Sequence, residues 1–325
     1  MKKKLVSIII PCFNAEKWLA EAIDSCLQQT YANIEIIVID DGSTDNSLEI
    51  IKSYQDKVIW QVFPHKGGNY ARNRGFDLSS GEYIQYLDAD DYILPEKIER
   101  QVQCLEETGA DVVYGDWRHQ RHLSNGSIVL ENIETSEIQT DILASLLANW
   151  WVALAAILYR KSAVESSGGW DETLTAAQDR DFFISVVINK AKVVYQPGCY
   201  SIYRRYGAVT VSTFSKTRWL QNHYIVLGKS EKKLLEMNNL SIKYRHALAR
   251  SYFELARESL FVDYSQYLIF LEEALVRFPE FQVNSKRGIY KLAQNILGFR
   301  QTERLASRFL FVKRFVTSGK FGMTS

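Results

Sequence analysis

Residues 5–14, Leu-Val-Ser-Ile-Ile-Ile-Pro-Cys-Phe-Asn, and residues 34–45, Ile-Glu-Ile-Ile-Val-Ile-Asp-Asp-Gly-Ser-Thr-Asp, decide the fold. Each opens with a short apolar run rich in β-branched residues and stops at a proline or a pair of acids, the pattern of a buried strand. Between them, residues 15–29 place Trp18, Leu19, Ala22, Ile23, Cys26 and Leu27 at helical spacing behind Asn14 as a cap, with no internal glycine or proline. Strand, helix and strand in that order predict a parallel pairing.

Working outward, Ser47–Tyr54 reads as a helix, Val58–Val62 as a strand, 70–78 as a helix, Tyr83–Leu87 as a strand and 95–108 as a helix. Asp111–Trp117 reads as another strand, and 118–136 as a polar hairpin or loop around Asn125–Gly126. This alternation predicts an α/β fold with a largely parallel, Rossmann-like central sheet flanked by helices, and such sheets bind ligands beyond the carboxyl ends of their strands. Pro11–Asn14, Asp40–Asp45 and Asp88–Asp91 all occupy such positions. From about Ser215 the pattern turns to long helices, including Tyr244–Leu260 and Tyr264–Arg277, so the chain divides into 1–214 and a helical 215–325.

The 325 residues are 46% hydrophobic and 24% charged with a net charge of +1, so no global field recruits nucleic acid. Cys12, Cys26, Cys104 and Cys199 lie far apart, with neither zinc spacing nor a disulfide framework, which fits a reducing cytosol. The apolar run Leu5–Ile10 is too short for a signal peptide, and no stretch approaches the roughly 18–20 apolar residues of a membrane span. The expectation is a soluble, cytoplasmic protein. Phe309–Phe315, with Arg308, Lys313 and Arg314, is read first as a terminal helix packed on its own domain; the alternative is peripheral contact with the inner face of an anionic membrane.

Asp88-Ala89-Asp90-Asp91 crowds three carboxylates at one strand end, where their repulsion is relieved by a hard divalent ion such as Mg²⁺ or Mn²⁺; helix capping is the competing reading. Asp40-Asp41-Gly42-Ser43 is either a base- or ribose-binding acid pair or an ordinary strand-to-helix turn. No GxGxxG or GxxxxGK[ST] occurs near the strands, so dinucleotide and P-loop folds lack support. Lys66–Gly75 joins a glycine-flexed loop to Arg72 and Arg74, suited to phosphate or to solvent. Gln178-Asp179-Arg180-Asp181 leads an apolar helix, which Asp179 could cap, and Tyr203–Tyr206 offers cations on a loop. Trp150 and Trp151 suit stacking on an acceptor sugar, though core burial is the commoner fate.

In order, SIIIPCFN, DDGSTD, ARNRG, DADD, GGWDE, QDRDF and YRRYGAVTVS resemble glycosyltransferase family 2, the inverting enzymes of GT-A fold, over roughly residues 5–212. The resemblance implies that Pro11, Phe13 and Asn14 line the nucleotide pocket and that Asp41 binds a base, uracil by preference. Arg72 would hold the nucleotide. Asp88 and Asp90 would be the DXD motif, Asp90 on Mn²⁺ or Mg²⁺ directly and Asp88 on ribose or metal-bound water. Asp179 would be the catalytic base, although it follows Gln178 where the family usually has Glu, and Arg204 would steady the diphosphate on a segment, Arg204–Ser212 with Thr210, that closes over the donor. The implied activity is transfer from a nucleotide sugar, a UDP-sugar by preference, to a glycan or lipid-linked hydroxyl in polysaccharide, glycolipid or cell-surface glycan synthesis. The competitors are a nucleotidyltransferase, which should carry a basic glycine-rich loop where this chain has Pro-Cys-Phe-Asn, and an inactive nucleotide-sugar binder.

Overall fold

β1 (Val6–Cys12) is buried along almost its whole length, because strands pair on both its sides and helices cover both its faces. In the computed structural model, which describes residues 4–207, 215–283 and 288–318 with side chains to residue 310, β1 is followed by α1 (Leu19–Leu27), β2 (Ile34–Asp40) and α2 (Ser47–Ser53). Next come β3 (Ile59–Val62), α3 (Gly68–Leu78), β4 (Tyr83–Tyr86), β5 (Tyr92–Ile93) and α4 (Lys97–Thr108). β6 (Val112–His122), β7 (Ile128–Glu134), α5 (Ile142–Leu147), β8 (Ile157–Arg160), α6 (Lys161–Ser167), α7 (Gln178–Ile188) and β9 (Val193–Arg205) complete the α/β part. The sheet order is β3-β2-β1-β4-β8-β6-β9-β5, with β7 paired to β6. β3, β2, β1 and β4 are mutually parallel, β6 and β9 pair parallel, and β5, β7 and β8 join antiparallel.

The two sheet faces use different helices. Leu19, Ala22, Ile23 and Cys26 of α1 pack with Ile8, Ile10 and Val38. On the other face α3 approaches so closely that a Cβ on Gly75 would stand 2.3 Å from Ile9 Cγ2. Only glycine fits that contact.

The hairpin alternative for 118–136 holds, and one expected loop is a strand. β6 runs on past Trp117 to His122 and turns at Asn125–Gly126 into β7, and the Tyr203–Arg205 stretch, expected as a basic loop, is the end of β9. Cross-strand partners far away in sequence override the polar composition of both stretches.

The chain forms two compact units, Met1–Leu146 with Trp150–Phe214, and Leu147–Asn149 with Ser215–Ser325. The second holds α8 (Lys216–Glu236), α9 (Ile242–Ser259), α10 (Tyr264–Arg277) and α11 (Gly288–Ser318), the last kinked at Gly298 with φ 75°. Ser215, Ser241 and Asp263 each accept a backbone N–H at a helix start, and Arg277 reaches Glu231 at 2.5 Å above the buried Tyr252 ring. Among the described residues no helix is long and apolar enough to cross a membrane. Residues 208–214, with Thr210 and Ser212 of the expected closing segment, and the side chains of Phe311–Phe315 lie outside the described residues.

Candidate active site

The parallel register sets Cys12 opposite Asp40 and Ile9 opposite Tyr86, so the residues after β1, β2 and β4 meet at one edge of the sheet. Asn14, in the left-handed region at φ 50°, receives the Thr44 N–H on Oδ1 at 2.8 Å and gives its own N–H to Ser43 Oγ at 2.9 Å. Pro11 is half-buried beside it, and Phe13 is exposed and stacks on His65 with ring centroids 4.0 Å apart. Asp41 is buried, and its two oxygens accept the N–H groups of Lys66 and Gly67 at 2.8 Å each, with His65 Nδ1 2.8 Å from Oδ2. The second acid of the pair thus shapes the 65–67 loop. Gly42 makes room for it: φ is +79°, and a Cβ there would lie 2.9 Å from the His65 nitrogen.

Arg72, on α3, is buried and donates from Nη2 to Asp88 Oδ1 at 2.6 Å and from Nη1 to Asn69 Oδ1 at 3.2 Å. Its guanidinium lies 4.6 Å over Trp170, which stacks on Phe182 at 4.2 Å. The Gly168–Glu172 motif is tied to the same helix, since Asn73 accepts the Trp170 N–H at 2.9 Å and Asn69 donates to the Asp171 carbonyl at 2.6 Å. Arg74, by contrast, pairs with Asp77 at the surface.

The three acids after β4 separate in role. Asp88 keeps one oxygen outside the Arg72 pair, and Asp90 accepts the Tyr206 hydroxyl on Oδ2 at 3.0 Å. Burial, then the neighbouring Asp88, hold the Asp90 carboxyl above its ordinary range. Asp91 is buried and accepts the Arg204 N–H at 2.8 Å; burial and the charges of Asp90 and Asp88 push its carboxyl well up. Arg204 faces inward instead of meeting solvent: Nη1 donates to the Asp90 carbonyl at 2.7 Å, Nη2 to Glu21 at 2.5 Å, and the guanidinium lies 4.2 Å over Trp18. Crowded carboxylates with hard oxygens still unshared on Asp88 and Asp90 suit a divalent ion that takes few protein ligands and completes its shell from phosphate and water.

Asp179 is the second residue of α7, after Ala177 in the left-handed region at φ 57°, and no side chain caps the helix. Among the described residues its carboxylate has no hydrogen-bond partner, whereas Asp181 is buried and engaged. The Asp179 residue is exposed, while protein groups crowd around its carboxyl. Burial pushes its carboxyl up to about 6, Arg72 pulls it down and Asp88 adds to the rise. Asp88 and Asp179 together keep Arg72 charged against its own burial.

Trp150 and Trp151 part company. Trp150 is half-buried with its ring 5.4 Å from Tyr114, while Trp151 is exposed and lies 4.7 Å from Trp117. Sequence reading passed over Glu21, Tyr206, Trp117, His119 and Tyr203. Only their surroundings in space single them out, apart from Tyr203 and Tyr206, which sit in the quoted basic motif.

Residues 7–151 match the family profile described as "Glycosyl transferase family 2". An uncharacterized glycosyltransferase of Haemophilus influenzae is 37% identical over 166 residues, which cover 50% of this chain and 65% of that protein, so the match spans less than two thirds of the relative. The fold resembles that of S. aureus TarS 1–349 in complex with UDP-GlcNAc, with a TM-score of 0.67 and 18% identity over 86% of this chain and 82% of that one. It also resembles the mannosyltransferase PcManGT of Pyrobaculum calidifontis, solved with GDP-Man and Mn²⁺, at TM-score 0.53 and 14% identity over 85% and 87% of the two chains. Residues 7–151 thus carry the profile of glycosyl transferase family 2, and the architecture is that of the GT-A fold.

Proposed function

We propose that this chain is an inverting glycosyltransferase that moves a sugar from a nucleoside-diphosphate donor, a UDP-sugar by preference, to a hydroxyl acceptor in glycan synthesis. The observation that carries it is Asp179: an exposed residue whose carboxylate has no hydrogen-bond partner among the described residues, within electrostatic reach of the Arg72–Asp88 pair. With its carboxyl near 6, it is ionised at neutral pH yet basic enough to accept a proton.

In this reading Asp179 takes the proton of the acceptor hydroxyl as that oxygen bonds to the anomeric carbon. The bond from that carbon to the diphosphate oxygen breaks, and its electron pair leaves on the diphosphate from the opposite face. Asp88 and Asp90 would hold Mg²⁺ or Mn²⁺, which when bound supplies positive charge to the diphosphate oxygens. Arg72 fixes Asp88, Arg204 fixes the turn at Asp90 and Asp91, and Asp41 holds the 65–67 loop beside Phe13. Nucleotide sugars in the crystals of TarS and PcManGT support the donor class.

Nucleoside diphosphate release from UDP-, GDP- and dTDP-sugars with Mn²⁺, compared between wild type and Asp179→Asn, tests this. Release by the wild type that falls in the variant is expected; equal release by both would remove Asp179 as the base.

A further inference from the structure

Beside the acid cluster stands an aromatic wall that neither donor binding nor proton transfer uses. β6 and β9 pair with Trp117 opposite Ser201 and His119 opposite Tyr203, so Trp117, His119 and Tyr203 project from one sheet face. Trp117 lies 4.8 Å from His119 and 6.1 Å from Tyr203, and His119 lies 5.3 Å from Tyr203. Trp117 and His119 are buried, but Trp151, seated 4.7 Å from Trp117, keeps 49% of its surface exposed. An indole backed by a second, buried indole is held from behind and open in front.

The other end of the wall is polar. The Tyr203 hydroxyl has no hydrogen-bond partner among the described residues, and the carboxylates of Asp91, Asp88, Asp179 and Asp90 all act on it. Its backbone neighbour, the Arg204 N–H, holds Asp91 at 2.8 Å, so the strand that presents the phenol is anchored to the acid cluster itself.

We propose that Trp151, Trp117 and Tyr203 form a subsite for a carbohydrate acceptor, a deepening that rests on the transferase reading. A pyranose has one apolar face and a rim of hydroxyls. Its face packs on Trp151, and the Tyr203 phenol donates to a rim hydroxyl, which turns a neighbouring hydroxyl toward Asp179. An acyl chain would leave the Tyr203 phenol without a partner. His119 is a positioning residue that packs against both Trp117 and Tyr203.

Saturation-transfer NMR of the full chain with methyl pyranosides of glucose, galactose, mannose and N-acetylglucosamine tests the subsite without turnover. Transfer to the ring protons of at least one pyranoside is expected in wild type. Trp151→Ala should weaken that binding about three- to tenfold, the worth of one aromatic stacking contact, and Trp151→Phe should retain most of it. Tyr203→Phe should weaken it by a similar factor through loss of one hydrogen bond. Trp60→Ala, which removes an exposed indole on the edge strand β3, should leave it unchanged. Transfer to none of the sugars, or equal binding by Trp151→Ala and wild type, overturns the subsite. Nucleoside diphosphate release measured in parallel separates the two readings. Release without sugar saturation removes the subsite and keeps the transferase, whereas saturation without release keeps the sugar site and removes the transferase.

Discussion

Arg204 and Glu21 form an ion pair of 2.5 Å in which the guanidinium has no solvent exposure and the carboxylate is half-exposed. With the Asp90 carbonyl and the Trp18 face as its other contacts, Arg204 ties β9 to α1 and to the turn that carries the acids. A cation held this way is a strut, because removing it empties a buried position against the Asp90 carbonyl and the Trp18 ring.

Arg204→Ala should therefore lower stability by about 2–4 kcal/mol in urea unfolding, while Glu21→Gln, on the exposed side of the pair, should cost about 1 kcal/mol or less. An Arg204→Ala protein with a wild-type midpoint and weakened donor binding alone would return Arg204 to the diphosphate.

The pH profile should carry the signature of Asp179. As the base it must be ionised, so the rate should rise with pH through about 6, and Asp179→Asn should lose about 10²–10⁴ in rate together with that limb. The effect on stability has the opposite sense. Its folded carboxyl lies above the roughly 3.9 of an unfolded aspartate, so the protonated form stabilises the native state at low pH, and that contribution fades as pH rises from about 4 through about 6. Asp179→Asn should melt higher than wild type above pH 6 and lose that advantage near pH 4, as scanning calorimetry can show.

Asp41→Asn replaces an acceptor-only group by an amide that can satisfy only one of the Lys66 and Gly67 N–H groups and turns its own NH₂ toward the other. A loss of about 1–3 kcal/mol is expected, with faster hydrogen exchange at both amides. Unchanged exchange there would show that the carboxylate does not hold the loop.

Mn²⁺ with UDP should raise the thermal midpoint of the wild type, by the equivalent of about 2.7 kcal/mol at a ligand concentration a hundredfold above Kd. EDTA should abolish the shift, and so should Asp90→Asn. A shift that survives Asp90→Asn would move the metal to other ligands.

How much of the site was legible in advance varies with how local its cause is. Asp88 and Asp90 could be picked out because they follow an apolar strand directly, and Asp179 because it leads an apolar helix. Trp117 could not, since nothing near it in the chain marks it as the backing of Trp151. The resemblance put the base at Asp179 and not Asp181; the structure adds that Asp179 is exposed, with no hydrogen-bond partner among the described residues, whereas Asp181 is buried and engaged.

From its own residues the chain determined the alternation of strands and helices, the parallel start of the sheet and the acids at its carboxyl edge, because periodicity and strand-end position act over a few neighbours. Which of those acids serves the loop, which the strut and which stays free was decided only in three dimensions. Asp41 meets Gly67 across 26 residues and Arg204 meets Glu21 across 183, and a charge takes its role from the partner that reaches it.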